Sequence, residues 1–588
     1  MSSANLPAIA GKQRWLLPEI DAARAAELAA AAATPLLIAE LLLDRGVQTA
    51  EEVQHFLHPQ LDDLLDPYSM FGMEAAVSRV QAAIRNQELI LIYGDYDVDG
   101  TTAVVLLKTA IEMLGGKVRF HVPHRLREGY GMQGSVLESA FADGVRLVIS
   151  VDTGIRAFSE AKIAERLCLD LIVTDHHLPE AAQELPRALV ILNPNQPDCE
   201  YACKHLCGAG VAFKLSQALL EAENRERTRA KILPSFLKML VLATVADSVP
   251  LLGENRVVAS LGLQQLQRPV GAGLRALMEQ AKLDPAQRPL TAIDIAFRIA
   301  PRINAAGRMD VASDVVELFT TRDAARASEL AAKLEQLNAD RKQSELAALE
   351  QIEQRLAEDS SLREAQCIVV DGQDWHRGVI GILASRVVDR TARPAIVIAV
   401  EDGQAYGSGR SVPGFHLLEA IESCAELFSR FGGHEHAVGF SLPTERVGEL
   451  RERLAIYASE HLEPGIPAKT VECHGVLALG SLTSELYQWL RQFEPFGMGN
   501  PEPTFLARNV RLATDPRVMK EKHIRLTLED GPAGRSISAV GWNWAERAAE
   551  MDLARGSVIH IAYHLRRNEH PNFGGLELEI VGMEPAEA

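Results

Sequence analysis

The chain has 588 residues, 47% hydrophobic and 24% charged, with 42 glycines and 28 prolines; this globular composition excludes a disordered or collagen-like chain. Lys and Arg number 60 against 79 Asp and Glu, a formal net charge of −19, so contact with nucleic acid must come from a local basic groove and not from a basic envelope. Seven scattered cysteines exclude a disulfide scaffold and fit a reducing cytoplasm, and no apolar run is long enough for a signal sequence or a membrane span.

Residues 1–65 are rich in Ala and Leu at helical spacing, which predicts a small N-terminal helical cap. From 66 to 320, apolar strands alternate with amphipathic helices: LILIY, KVRFH, LVISV, LIVT and KMLVLATVA read as strands of a parallel, doubly wound sheet with a helical extension. Between 321 and 360, Leu330, Leu334 and Leu337, then Leu349, Ile352 and Leu356, recur at three and four residues without a Gly or Pro, predicting one long connecting helix. A second α/β unit follows over 361–465. The remainder, 466–588, alternates with period two in HIRLTLED, SVIHIAY and LELEIVG, predicting a small β-barrel.

Four of the predicted strands end in carboxylates. Asp95, Asp97 and Asp99 follow LILIY, Asp152 follows LVISV, Asp175 with His176 and His177 follows LIVT, and Asp247 follows LATVA. A single strand-end Asp reads equally as a cap or turn former, but four at the carboxyl ends of one sheet converge on one crevice. Carboxylates in that number repel one another. With one imidazole among them they suit two Mg²⁺ or Mn²⁺ ions better than zinc, and a paired-ion site fits phosphodiester hydrolysis without a covalent enzyme intermediate.

Cationic candidates come from separate segments. PRINAAGR offers Arg302 and Arg308 with Asn304 as a donor, against the alternative of arginines paired within the fold. Arg125 leaves its strand after Pro123 and can turn inward; Tyr130 is either a stacking platform for a base or a packed loop tyrosine. Ser408 and Arg410 in GSGRS, and His434 after Gly432 and Gly433, stand beside glycines that let backbone N–H groups approach phosphate. In the β unit, Lys520, Lys522, Arg525, Trp542, Arg566 and Arg567 supply the residue types of a single-strand groove. Cys199, Cys203, His205 and Cys207 lack the paired spacing of a zinc site and read as thiols.

In this order YGDYDVDG, SVDTG, TDHH and ATVADSV resemble the four motifs of the DHH phosphoesterase superfamily, and PRINAAGRM, YGSGRS, GGHEHAVGF and EPFGMGNPEP are similar to blocks of the bacterial RecJ single-strand-specific exonucleases. The resemblance covers nearly the whole chain after the cap. It implies an α/β fold with DHH-type and DHHA1-type units joined by the long helix, plus a C-terminal OB-like barrel. It also implies that Asp97, Asp99, Asp152, His176 and Asp247 hold two Mg²⁺ or Mn²⁺ ions, with Asp152 bridging and Asp95 beside them. His177 would face the scissile phosphate, and Gly432, Gly433 and His434 the substrate backbone. Ser408 and Arg410, with Arg125, would take the 5′-terminal phosphate. Tyr93 stands where pyrophosphatase-type members have a histidine.

The implied catalytic set is His177, Asp95, Arg302 and Asn304, and the implied substrate contacts include Tyr130 and Arg308. The implied activity is 5′-to-3′ exonuclease digestion of single-stranded DNA to 5′-mononucleotides, in DNA repair and recombination in the cytoplasm. A single-stranded-DNA-binding protein and a RecQ-type helicase are the implied partners, with no membrane. The alternative is a DHH phosphoesterase acting on short oligonucleotides or cyclic dinucleotides, which needs only the two α/β units.

Overall fold

A computed structural model describes residues 14–125, 127–129, 131–180, 184–268, 270–462, 470–530, 536–568 and 574–586. Its first sheet is all parallel, in the spatial order Lys117–His121, Leu89–Tyr93, Val145–Val151, Asp170–Thr174, Val190–Leu192. The inner strands Leu89–Tyr93, Val145–Val151 and Asp170–Thr174 read as largely apolar runs because helices cover both faces, whereas the edge strand Lys117–His121 alternates. Ile90, Ile92, Ile149 and Ile172 pack under helices Met73–Arg85, Val98–Met113 and Gly208–Arg227, while Leu91, Tyr93, Val148 and Val173 face Gly134–Ala142 and Phe158–Leu167. The chain leaves Leu89–Tyr93 for a neighbour on one side and later returns to the other. That reversal opens a crevice at the carboxyl ends of the strands.

One predicted strand is a helix. KMLVLATVA lies within Leu233–Ala246, a helix of the extension, so Asp247 closes a helix and does not follow a strand. Leu237, Leu240, Val241, Leu242, Ala243 and Thr244 are all buried. A helix buried on nearly every side carries no polar stripe, and its apolar run has the signature of a core strand.

The connecting helix runs Ala324–Glu358, with Leu330 and Leu334 in the core of the helical extension and Leu349, Ile352 and Leu356 in that of the second α/β unit. The second sheet has the order Arg430–His434, Ala437–Pro443, Gln404–Arg410, Ala395–Glu401, Ile368–Gly372, and only the last pair is parallel.

In the C-terminal unit, strands Phe505–Leu512, Val558–Asn568, Gly575–Pro585, Ser536–Gly541 and His523–Glu529 pair in succession, and Arg511 opposite Glu529 closes the ring. The N-terminal helices Ala22–Ala32, Leu36–Leu43 and Ala50–Leu57 share one core with this barrel: Leu28, Ile38, Leu41 and Phe56 pack with Phe493, Phe505 and Ile559. Strand Arg14–Leu16 pairs in parallel with Thr470–Glu472. Arg256, buried on helix Gly253–Leu266, locks the combined unit to the first lobe; it donates to the carbonyls of Phe56, Phe493 and Gln492 at 2.6, 2.8 and 2.9 Å. Among the described residues no single helix is long and apolar enough to cross a membrane.

Candidate metal centre and phosphate pocket

The turn after Leu89–Tyr93 sets the first acidic wall. Asp97 is the N-cap of Val98–Met113 and accepts from Gly100 N at 3.0 Å, and Asp99 sits in the first helical turn, where the helix dipole favours a carboxylate. Asp99 also accepts from Gly208 N at 2.6 Å and Ala209 N at 2.8 Å, at the start of a second helix. Two helix N-termini therefore meet at one buried carboxylate.

Asp152 has a left-handed backbone, φ 59°, and its N–H is held by Thr174 O at 2.9 Å. It is buried, and neither its Oδ1 nor that of buried Asp95 has a hydrogen-bond partner. Buried polar atoms are normally paired, so two orphaned carboxylate oxygens at one crevice point to an absent cationic group. His176 Nε2 stands 3.3 Å from Asp152, 3.8 Å from Asp247 and 3.9 Å from Asp99.

Asp175 organises the histidines. It accepts from the backbone N–H of Ile155, His176 and His177 at 2.9, 2.8 and 3.1 Å and binds His177 Nδ1 at 2.7 Å. Burial works against its charge, but the bonds from His177 and the backbone outweigh it and hold the carboxyl below the usual range. The reciprocal effect lifts His177 to about 9, burial notwithstanding.

Asp247 is pushed up to about 8, first by burial and then by Asp99 and Asp97. Burial and neighbouring carboxylates push Asp95 and Asp152 in the same direction. Cations placed among these carboxylates would offset that mutual repulsion. Among the described residues three sets can hold a metal ion: Asp95, Asp97 and Asp152; Asp99, His176 and Asp247; and Asp152, His176 and His177, with the ligating atoms of each set within 4.8 Å of one another. Asp152 belongs to two sets, and the donors suit Mg²⁺ or Mn²⁺.

A cavity of ≈ 330 Å³ opens over the cluster, and Arg125, Asn304 and Arg308 also line it. Arg308 is lowered to about 10 by burial and then by Arg125, and donates to Gly378 O in the second α/β unit at 3.2 Å. Arg125 lies over the Tyr96 ring, 5.0 Å from its centroid. Beyond it, Arg410 donates to Ser408 Oγ at 3.3 Å, and burial followed by the charge of Arg125 lowers its pKa. Gly381, at the start of helix Ile380–Thr391, lies against both groups: a Cβ there would be 3.2 Å from Ser408 Oγ and 3.3 Å from Arg410 Nη2. This helix N-terminus favours an anion at the same place.

Other candidates lie elsewhere. Arg302, expected among the catalytic residues, does not line the cavity; it pairs with Glu335 of the connecting helix and so clamps two helices. Asn304 lines the cavity but also braces the acidic turn, its Oδ1 accepting from Val98 N at 3.2 Å. Gly432, Gly433 and His434 form an exposed strand, and the His434 imidazole is lowered by burial and then by His436, Arg410 and Arg156. Tyr130 lies outside the described residues. Arg525 is held by Glu577 and Arg566 by Glu502 and Glu579, whereas Lys520, Lys522 and Trp542 are exposed, with Trp542 against the His523 ring at 5.0 Å. Among the described residues the cysteine cluster forms no metal-holding set. The sequence presents Asp175 only as a strand-end carboxylate, without its role of orienting His177, and does not single out Gly208, whose signal is the GAG opening a helix.

Fold and centre define a DHH-type phosphoesterase. The DHH family N-terminal domain matches residues 89–244, the DHHA1 domain 364–460 and the RecJ OB domain 473–582. The single-stranded-DNA-specific exonuclease RecJ of Bacillus subtilis is 37% identical over 96% of this chain and 70% of its own length, and that of Escherichia coli 34% over 94% and 96%. The crystal structure of RecJ from Thermus thermophilus in complex with Mn²⁺ superposes with a TM-score of 0.81 at 29% identity, covering 98% of this chain and 80% of that one. The chain belongs to the RecJ family of single-stranded-DNA-specific exonucleases.

Proposed function

We propose that this chain is a metal-dependent 5′-to-3′ exonuclease that degrades single-stranded DNA to 5′-mononucleotides in cytoplasmic DNA repair and recombination. The observation that carries this is one cavity lined both by Asp95 and Asp152, each with a carboxylate oxygen lacking a hydrogen-bond partner, and by the half-buried guanidinium of Arg308. Asp97, Asp99, Asp152, His176 and Asp247 would hold the cations, with Asp95 beside them. When bound, a pair of divalent cations supplies activation of water and charge neutralisation at the phosphoryl group.

The chain's own residues do the rest. Asp175 fixes His177 through Nδ1, so Nε2 is the atom that donates to a phosphoryl oxygen. Arg308 and Arg125 bind the non-bridging oxygens by charge-assisted hydrogen bonds, in a low-dielectric cavity where these are strongest. Arg410, Ser408 and the helix start at Gly381 take the terminal phosphate, which sets the next diester over the acidic cluster and gives the 5′ polarity. In this reading residues 66–320 perform chemistry, 361–465 hold the strand's end and 466–588 grip the strand beyond it. A single-stranded-DNA-binding protein and a RecQ-type helicase fit such an enzyme as partners by supplying unpaired strands.

The test is product analysis on end-labelled single-stranded DNA with and without Mn²⁺. Metal-dependent release of 5′-mononucleotides from the 5′ end is expected. Digestion from the 3′ end, or confined to dinucleotides, contradicts the reading.

A further inference from the structure

Asp247 differs from its neighbours in the acidic cluster: it closes a helix, and the residues just after it touch the C-terminal unit. Ser248 is left-handed, φ 57°. Leu251 is buried in the core of the helical extension, while Leu252 packs against the core shared by barrel and N-terminal helices. Two successive side chains thus enter two different cores.

The partner is the turn within EPFGMGNPEP, a motif the chemistry described above does not use. Leu251 N donates to Met498 O at 2.7 Å. A Cβ on Gly499, φ +67°, would lie 2.9 Å from Pro250 Cβ and 3.2 Å from its Cα, and one on Gly497 would lie 2.7 Å from Leu251 Cδ1. Reciprocal backbone bonds between Gly497 and Asn500, 3.0 and 3.2 Å, close the turn. Asn500, 0% exposed, secures it by donating to Phe493 O at 2.8 Å and Pro495 O at 2.9 Å and accepting from Arg45 Nε at 2.8 Å. On the other side, Asn255 Nδ2 holds Pro250 O at 3.1 Å. The segment from Asp247 to Pro250 spans at most ~11 Å even fully extended, so the tether between Pro250 and the carboxylate is short.

We infer that the Gly497–Asn500 turn is a positioning element for Asp247, so that seating of the barrel and its N-terminal helices tightens metal binding at the acidic cluster. This rests on the reading of Asp247 as a metal ligand. Outer contacts that orient a ligand change metal affinity as well as rate.

The experiment titrates Mn²⁺ alone into the full metal-free chain by calorimetry, and measures kcat and KM on a long single strand. Gly499→Ala should weaken Mn²⁺ binding about tenfold and lower kcat with KM unchanged. Gly497→Ala, which meets only the end of a flexible side chain, should shift both in the same direction by less. Gly480→Ala, in the same unit with nothing near its Cβ, should change neither. Wild-type Mn²⁺ affinity in the folded fraction of both Gly499→Ala and Gly497→Ala overturns the inference, including when melting temperature falls; if Gly499→Ala does not fold, Gly497→Ala decides. Asp247→Asn separates the two levels: if it leaves Mn²⁺ binding unchanged, the metal-centre reading itself has failed.

Discussion

Gly208 and Asp152 approach so closely that a Cβ on the glycine would lie 2.4 Å from Oδ1 of the aspartate. The same glycine's N–H holds Asp99. One residue without a side chain therefore sets the spacing of two carboxylates, and Gly208→Ala should cost about 10–100-fold in activity or metal affinity by displacing them. Mn²⁺ titration with single-turnover cleavage checks this; wild-type values in both would show that the cluster adjusts freely.

Asp152→Asn should abolish hydrolysis yet raise the melting temperature of the metal-free protein. The buried carboxylate has no hydrogen bond to Oδ1, which His176 Nε2 approaches only to 3.3 Å, and sits among like charges, so a neutral isostere relieves the fold, and Asn tolerates the left-handed backbone. Thermal melts in chelator and in Mn²⁺ provide the check: the variant should lose most of the metal-induced stabilisation. A lower melting point in chelator would mean that Asp152 supports the fold directly.

Arg410→Ala should slow digestion of a 5′-phosphorylated strand by one to two decades, since a charge-assisted contact contributes roughly 1.5–3 kcal/mol. A 5′-hydroxyl strand, which leaves the pocket empty, should be digested at nearly the wild-type rate. Initial rates on both substrates decide; equal slowing would make Arg410 a structural contact.

Trp542→Ala on the barrel should weaken binding to a long single strand by about 1–3 kcal/mol with little change in the rate on bound substrate. Lys520→Ala should reduce the salt dependence of binding. Fluorescence anisotropy over a salt series measures both. Truncation at residue 466 is a poorer test, because it uncovers the apolar faces of the N-terminal helices and removes the anchor of Leu251.

Arg256→Ala leaves the carbonyls of Phe56, Phe493 and Gln492 without their shared donor. Phe493 O keeps its bond from Asn500, so with the carbonyls of Phe56 and Gln492 losing this donor, at about 1–3 kcal/mol for each buried group left unpaired, the loss should be roughly 2 kcal/mol or more. A urea titration should show the N-terminal helices and barrel parting from the first lobe earlier than in the wild type; coincident, unshifted transitions would refute this.

Much of the centre is legible in the sequence because its chemistry is local. Asp95, Asp97, Asp99, Asp152 and Asp175 each follow an apolar run, and strand ends are where an open sheet presents ligands. Asp247 was found for a mistaken reason, since the fully buried helix before it imitates a strand. Arg302 and Arg308 stand on one helix in the same motif, and only the contact with Glu335, 33 positions away, separates their roles. Least legible is the union of the N-terminal helices with the barrel. Phe56 and Phe493 meet edge to face at 5.5 Å across more than four hundred intervening residues, and no local pattern announces such a contact.

That union also orders events in time. The apolar faces of Leu28, Ile38 and Phe56 emerge early in synthesis, whereas their cover, including Phe505 and Ile559, emerges last. At roughly 5–20 residues per second the wait is on the order of tens of seconds. Through that interval the nascent N-terminal helices expose a sticky surface to chaperones, and the loop carrying Asp247 has no brace.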